Sequence, residues 1–396
     1  MTFILTLSYI LIVFLILIFS KLSIINENRI FGKYPRKTKY YWLKVLVMYV
    51  ILSLRKFFKK VPADYFEKLD KPQQLSPTPK AADAVYFNGV NNKGECLIHG
   101  TARRHGLIDG FLYLKINASE LGLLELTTLP DTSQIMDTSG TGYEAAGIKV
   151  VALKPMKTWK ITFNGKLREA KNKDSLHEVS IEAIYTSDKP CFNYETQMEP
   201  WNMAKNIAYE KWSRKYFENF NNHHQLHYEQ FGVVKANVTI DKQEYRLNVD
   251  CLRDHSVASH RDWGSFERYI LHWISMENGD HFALGMICNP ICYSRMEIGY
   301  MYNAREGKMH AISGTSFNFH QYGELGNPPK DYAFTFKVGK TNYAIQVNIM
   351  EDPYFYISKN WESKVFECVC RTKVNGVYGY GGVEWQYRNV EGRNVK

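Results

Sequence analysis

AVYFNGVNNKGECLIHGTARR, residues 84–104, decides the fold class. Apolar and polar residues alternate on both sides of an Asn- and Gly-rich centre, which is the pattern of strand, tight turn and strand. The same pattern continues in GIKVVALKP (147–155), TWKITFNGKLREA (158–170) and HEVSIEAIYTS (177–187). It resumes in EYRLNVDCLRD (244–254), SFERYILHWISM (265–276) and SKVFECVCRTKVNGVYGYGGVEWQYRN (363–389). Serial strands with close turns predict antiparallel sheets, closed or nearly closed, as two β-units.

One segment interrupts the strands. In PWNMAKNIAYEKWSRKYFENF (200–220), Trp201, Ala204, Ala208, Trp212 and Tyr216 recur at helical spacing after Glu199-Pro200, predicting one amphipathic helix. The organisation expected is therefore a first β-domain over 84–198, a connecting helix over 199–224 and a second β-domain over 225–396.

The 83 residues before the strands have a different chemistry. Residues 3–19, FILTLSYILIVFLILIF, are uncharged and just long enough to cross a bilayer with their flanks, so 1–22 reads as a transmembrane anchor. A cleaved signal peptide would want a basic residue before the run and small residues at its end, and both are missing. The first 60 residues hold eleven Lys and Arg against the single acid Glu27; this accounts for the whole formal charge of +10 and leaves the rest of the chain neutral. A basic nucleic-acid face is thereby excluded. With its cations after the span, the chain is expected to be a single-pass membrane protein with its body in the cytosol, at the endoplasmic reticulum. The tripeptides NAS at Asn117 and NVT at Asn237 would become glycosylation sites if the body were lumenal. Residues 23–83 read as a basic juxtamembrane helix and linker. In YYWLKVLVMYVILSLRKFFKK (40–60), Lys44, Arg55, Lys56 and Lys59 fall on one side of a helix opposite a broad apolar face. That suits a helix lying in the interface with its cations on anionic head groups, a second span or a soluble packed helix being the alternatives. KPQQLSPTPKAAD (71–83) reads as the linker.

HYEQFG (227–232), RDHS (253–256), HRDWG (260–264) and NGVYGYGGVEWQYRN (375–389), together with VYFNGVNNKGECLI and ARR in the first half, resemble an uncharacterised invertebrate family. That family is similar to the two-domain lipocalin-like superfamily of hydroxyneurosporene synthase, AttH-type proteins, fungal pericyclases and the yeast survival factor. The resemblance covers roughly residues 84–390. It implies a mainly β fold: two lipocalin-like antiparallel β-barrels side by side, here joined by a helix and preceded by the transmembrane helix, with a hydrophobic ligand cavity. Relatives carry an aromatic-Gly pair after DHS where this chain has Val257-Ala258, so the local turn is not implied.

No phosphate loop, nucleophile elbow or His-Glu-x-x-His motif is present. The seven scattered cysteines read as buried strand thiols, and no metal or cofactor is expected. Attention falls on RDHSVASHRDWG (253–264). Alternation puts Leu247, Val249, Cys251, Arg253 and His255 on one strand face, with Glu229 and Asp262 the available carboxylates for a buried Arg253 and with His272 reaching the same cavity. Three roles remain open. As an enzyme, a hydratase, isomerase or cyclase on an isoprenoid or lipid, it would use Asp254 or Glu229 as proton donor and His255 as relay. As a binding protein, the leading reading, it would hold or transfer a hydrophobic small molecule, with Arg253, His272, Arg261, Asp262 and Trp263 as ligand-binding residues. As a lock, the cluster would only tie strand ends together. The partners expected are that ligand and membrane lipid including anionic head groups, with no nucleic acid.

Overall fold

The computed structural model describes residues 20, 23–59, 61–62, 64–135, 142–223 and 225–394. The anchor expected over 1–22 falls, Ser20 excepted, outside the described residues. Among the described residues no helix is long and apolar enough to cross a membrane.

Among the described residues, the helices α1 (Tyr41–Phe58) and α2 (Tyr65–Leu69) precede the strands. The first barrel draws on β1 (Ala82–Val90), β2 (Cys96–Arg104), β3 (Leu107–Lys115), β4 (Leu124–Leu126), β5 (Ser133–Ile135) and β6 (Tyr143–Ala145). It continues with β7 (Ile148–Lys154), β8 (Thr158–Glu169), β9 (Asn172–Thr186), β10 (Phe192–Asn193), β11 (Gln225–Ile240) and β12 (Gln243–Ala258). Strands β1, β2, β3, β4, β8, β9, β11 and β12 pair antiparallel in that order, and β12 returns to β1 to close the ring. The second barrel uses β13 (Arg268–Met276), β14 (His281–Asn289), β15 (Tyr293–Asn303), β16 (Lys308–Thr315) and β17 (Asp331–Val338). It is completed by β18 (Thr341–Glu351), β19 (Tyr354–Ile357), β20 (Ser363–Val374) and β21 (Val377–Arg388), closing through β18–β20 and β21–β13. Strict alternation makes closure work: β17 buries every second residue, Tyr332, Phe334, Phe336 and Val338, against the barrel interior.

Two closed eight-stranded barrels are thus present, but they do not part where the sequence suggested. Residues 225–258, expected to open the second domain, pair with β9 and β1 and complete the first barrel. The second barrel begins only at Arg268. The connecting helix is also two helices, α3 (Pro200–Ile207) and α4 (Arg214–Asn222). Tertiary contacts break the periodic run between them. Trp212 donates its indole N–H to Ile207 O at 3.0 Å, buried Glu210 accepts the Ser294 N–H at 2.6 Å, and Ser213 caps a new helix by accepting from Tyr216 N.

Outer faces of the barrels form a third core. Phe231 and Leu252 of the first barrel meet Trp273, Ala283, Ile298 and Tyr300 of the second, and α1 and α3 cover its edge through Tyr41, Val45, Met48 and Ala204. Burying side chains of this size contributes roughly 1.5–3 kcal/mol each, which holds the barrels together as one body.

The basic segment and linker also depart from expectation. Lys44 is buried and donates to Glu210 O at 2.6 Å and Ile24 O at 3.0 Å, while Lys56 donates to Met198 O at 3.1 Å. Arg55 and Lys59 pair with Glu195. The cations do share one side of α1, but the body supplies their acceptors, not lipid head groups. Nor is 71–83 a loose tether. Gln73 N donates to Asp83 at 2.8 Å, Arg103 donates to Gln73 O at 3.0 Å, and Ala81 is fully buried.

Candidate active site

Strand β12 places adjacent residues in opposite environments. Arg253 and His255 point into the first barrel, as their alternation predicts, and there they are locked. Arg253 forms a fully buried ion pair with Asp70, from the segment just after α2, and donates to Gln230 Oε1 at 3.0 Å. Asp70 also accepts from Tyr228 OH at 2.8 Å and Trp159 Nε1 at 3.0 Å. His255 sits 2.8 Å from Asp83 Oδ1 and 2.8 Å from Tyr228 OH, and Asp83 accepts further from Tyr143 and Arg103. Burial disfavours both carboxylates, but Arg253 at Asp70 and His255 at Asp83 outweigh it and hold their pKa values below the usual range. All four carboxylate oxygens are engaged. The carboxylate of Arg253 is therefore Asp70, not Glu229 or Asp262, and this cluster ties the strands with every carboxylate oxygen taken.

His272 lies elsewhere. It is buried inside the second barrel, 2.8 Å from Tyr332 OH and 3.2 Å from Leu284 O, and burial lowers its pKa to about 4. The single cavity expected to join Arg253, Asp254, His255 and His272 does not exist, because the two barrel interiors are separate. Asp262 is no wall residue either: it pairs with Lys80 at 2.5 Å and accepts from Gly264 N in its own turn.

Asp254 faces the other way, into a cavity of about 160 Å³ between the barrels. Phe111 and Phe355, stacked at 4.2 Å, form part of an apolar wall with Leu271, Trp273, Ile287 and Ile298. Arg261 and Trp263, two of the expected ligand residues, line it too. Arg261 donates to Gln225 Oε1 at 2.7 Å; burial and neighbouring Arg104 lower its pKa to about 10, so it stays charged at neutral pH. The indole N–H of Trp263 is buried without an acceptor. His227, also on the wall, contacts Asp254 and lies 3.5 Å from Glu229. Burial opposes its charge, yet these two carboxylates push its pKa up to about 10. Glu229 is itself held by Trp273 Nε1 at 3.2 Å and Tyr194 OH at 3.0 Å. His227, Glu229 and Asp254 are ligand types for a divalent metal at compatible spacing. An imidazolium between two carboxylates already satisfies the same three groups.

The opposite wall holds the residues that sequence reasoning missed. Glu384 on β21 lines the cavity, and its direct cross-strand partner on β20 is Glu367. Glu367 is fully buried, accepts from Tyr86 OH at 2.9 Å, and has its Oε1 without any donor. Asn88 donates to the same Tyr86 hydroxyl at 2.7 Å and lies over Gly382, where a Cβ would come within 2.1 Å of the amide. Tyr269 lines the same cavity beside Glu384. Two buried carboxylates in contact cannot both ionise. Burial raises both pKa values, the charge of Glu384 adds to the rise at Glu367, and Asp254 adds to that at Glu384. The cavity is thus apolar in the main, with a cross-strand pair of buried glutamates on one side and an ion triplet on the other.

A family of unknown function (DUF8627) matches residues 5–387. The chain belongs to that family. A search of curated protein sequences finds no significant match. Among solved structures, kievitone hydratase from Nectria haematococca is similar over 83% of this chain and 96% of its own, at 9% identity and a TM-score of 0.51. An AttH-type protein from Nitrosomonas europaea is similar over 81% of this chain and 99% of its own, at 12% identity and a TM-score of 0.48. CghA, in a structure with Sch210972, covers 82% of this chain and 96% of its own, at 11% identity and a TM-score of 0.44. All are two-barrel lipocalin-like proteins, and the likeness to kievitone hydratase agrees with the two barrels described above.

Proposed function

We propose that the cleft between the barrels binds an apolar, unsaturated small molecule and catalyses proton transfer to it, in a hydration, isomerisation or cyclisation. The observation that supports this reading is the cross-strand Glu367–Glu384 pair, buried beside an apolar cavity that Glu384 lines, and we take it to share one proton. Glu384 is the catalytic acid, and Glu367, reached through Tyr86, is the positioning residue that keeps the proton available at neutral pH. Protonation of an alkene or enol by Glu384 leaves a cationic centre. Trp273 and Phe111 offer it aromatic faces, and the net negative charge of the His227–Glu229–Asp254 triplet favours it. Water then adds and returns a proton to the pair, or a neighbouring carbon loses one; either way the pair is restored. A cavity of this volume admits a group about the size of one aromatic ring, so a longer substrate would lie partly outside it. Kievitone hydratase, by its name, is compatible with such chemistry on this fold.

Binding without reaction is the second reading, favoured by the large apolar share of the lining. Lipid mass spectrometry of the full-length protein purified from its source cells separates the two. Wild type should carry product, and Glu384→Gln should carry a precursor that is an isomer of it or differs by the elements of water. The same compound in both proteins would reduce the cleft to a binding site. An empty cleft in both would overturn the proposal altogether.

A further inference from the structure

Helix α1 is amphipathic in the reverse of the usual sense. Its polar side is spent on the body: Lys44, Arg55, Lys56 and Lys59 all find acceptors there. Its outward side is a stripe at three- and four-residue spacing, Trp42, Leu46, Val50, Leu54, Phe57 and Phe58, with no charge along it. Exposure runs from 49% at Val50 to 78% at Phe57. Trp201 of α3 widens the patch, stacking on Trp42 at 6.5 Å. A contiguous exposed apolar surface on this scale needs an occupant.

We propose that this stripe lies in the boundary between head groups and hydrocarbon of a bilayer, so that the body rests on the membrane through α1 by apolar contact alone. The charge pattern selects this occupant. Exposed Arg36, Lys37 and Lys39 precede the stripe at head-group level, and Trp42 stands at its start. The uncharged run 3–19 lies upstream in the sequence. Since the helix cations already have partners on the body, attachment differs from the usual basic amphipathic helix, which depends on anionic lipid.

The test uses the full-length chain in phosphatidylcholine vesicles, with a fluorescent thiol label at Leu46→Cys or Leu54→Cys and at Lys173→Cys, an exposed residue at the start of β9, as control. The native cysteines are buried except for half-buried Cys191, so unsubstituted protein sets the background. Lipids brominated on their acyl chains should quench the label several-fold at positions 46 and 54 and leave position 173 unchanged. Added phosphatidylserine or high salt should not alter this. Quenching that requires phosphatidylserine would overturn the proposal. So would protection from aqueous iodide without bromolipid quenching, which would show a protein segment covering the stripe, or disulfide cross-linking between Leu54→Cys chains, which would show a second copy.

Discussion

The two faces of β12 hold two polar clusters of opposite design. Inside the first barrel, Arg253 and His255 meet carboxylates whose every oxygen is occupied. Outside it, Asp254 looks across an apolar cavity toward two glutamates that have one donor too few. The carboxylates of the first arrangement have no lone acceptor, whereas in the second Glu367 keeps one oxygen without a donor. Density of charged residues therefore marks structure here, while the incompletely satisfied pair is where the proposed chemistry would sit.

The strongest way to break this comparison is Arg253→Met. It leaves Asp70 buried and unpaired, and should cost about 3–5 kcal/mol in urea denaturation. The double variant Asp70→Asn/Arg253→Met should regain much of that. Turnover per folded molecule should be close to normal; a stable protein that has lost turnover would exchange the roles of the two clusters.

Stability against pH should separate the clusters by sign. Asp70 and Asp83 have pKa values below their unfolded value near 3.8, so their contribution is complete above it and is lost as pH falls through the folded value. Glu367 and Glu384 lie above their unfolded value near 4.5, so the folded protein holds a proton that the unfolded chain has released. Their contribution is complete below that value and declines as pH rises, by up to about 1.4 kcal/mol per pH unit for one proton. Glu367→Gln should flatten the decline on the upper side and leave the acid limb in place, which denaturation between pH 3 and 8 would read, a range chosen to bracket roughly the ordinary carboxylate and histidine values.

Smallest in energy is Tyr86→Phe, which removes one hydrogen bond to Glu367 and should cost only about 1 kcal/mol. Its sharper effect is expected in the pH–rate profile, where the limb set by the acid pair should move upward. An unchanged profile would detach Tyr86 from the pair.

Much of this arrangement was legible in the sequence. Alternation along EYRLNVDCLRDHS put Arg253 and His255 on one face and Asp254 on the other, and the structure keeps that division. The glutamate pair was legible as well. Asn375-Gly376 forms a two-residue turn, so Val374 faces Val377 and the register carries on to Glu367 opposite Glu384. Residues richer in histidine and arginine drew attention instead. Asp70 was not legible as the partner of Arg253, because 183 residues separate them and its segment has the composition of a tether. The barrel boundary was hidden for a related reason: alternation shows that a strand is half-buried, but not which sheet it will join.

The closing of the first barrel by β11 and β12 also gives the chain an order of assembly. A polypeptide emerging from the ribosome can lay down β1 to β9 early, but β1 and β9 keep open edges until residue 258 is out, past both central helices. The second barrel is written as one uninterrupted stretch and waits for nothing upstream to complete its ring. The halves are consequently not equal modules: a cut between α3 and α4 yields no finished unit on the amino side, whereas a cut after Ala258 falls between two complete rings. Rearrangement by duplication or fusion would find its natural joint there, at the short passage through Trp263 that also forms one wall of the cleft.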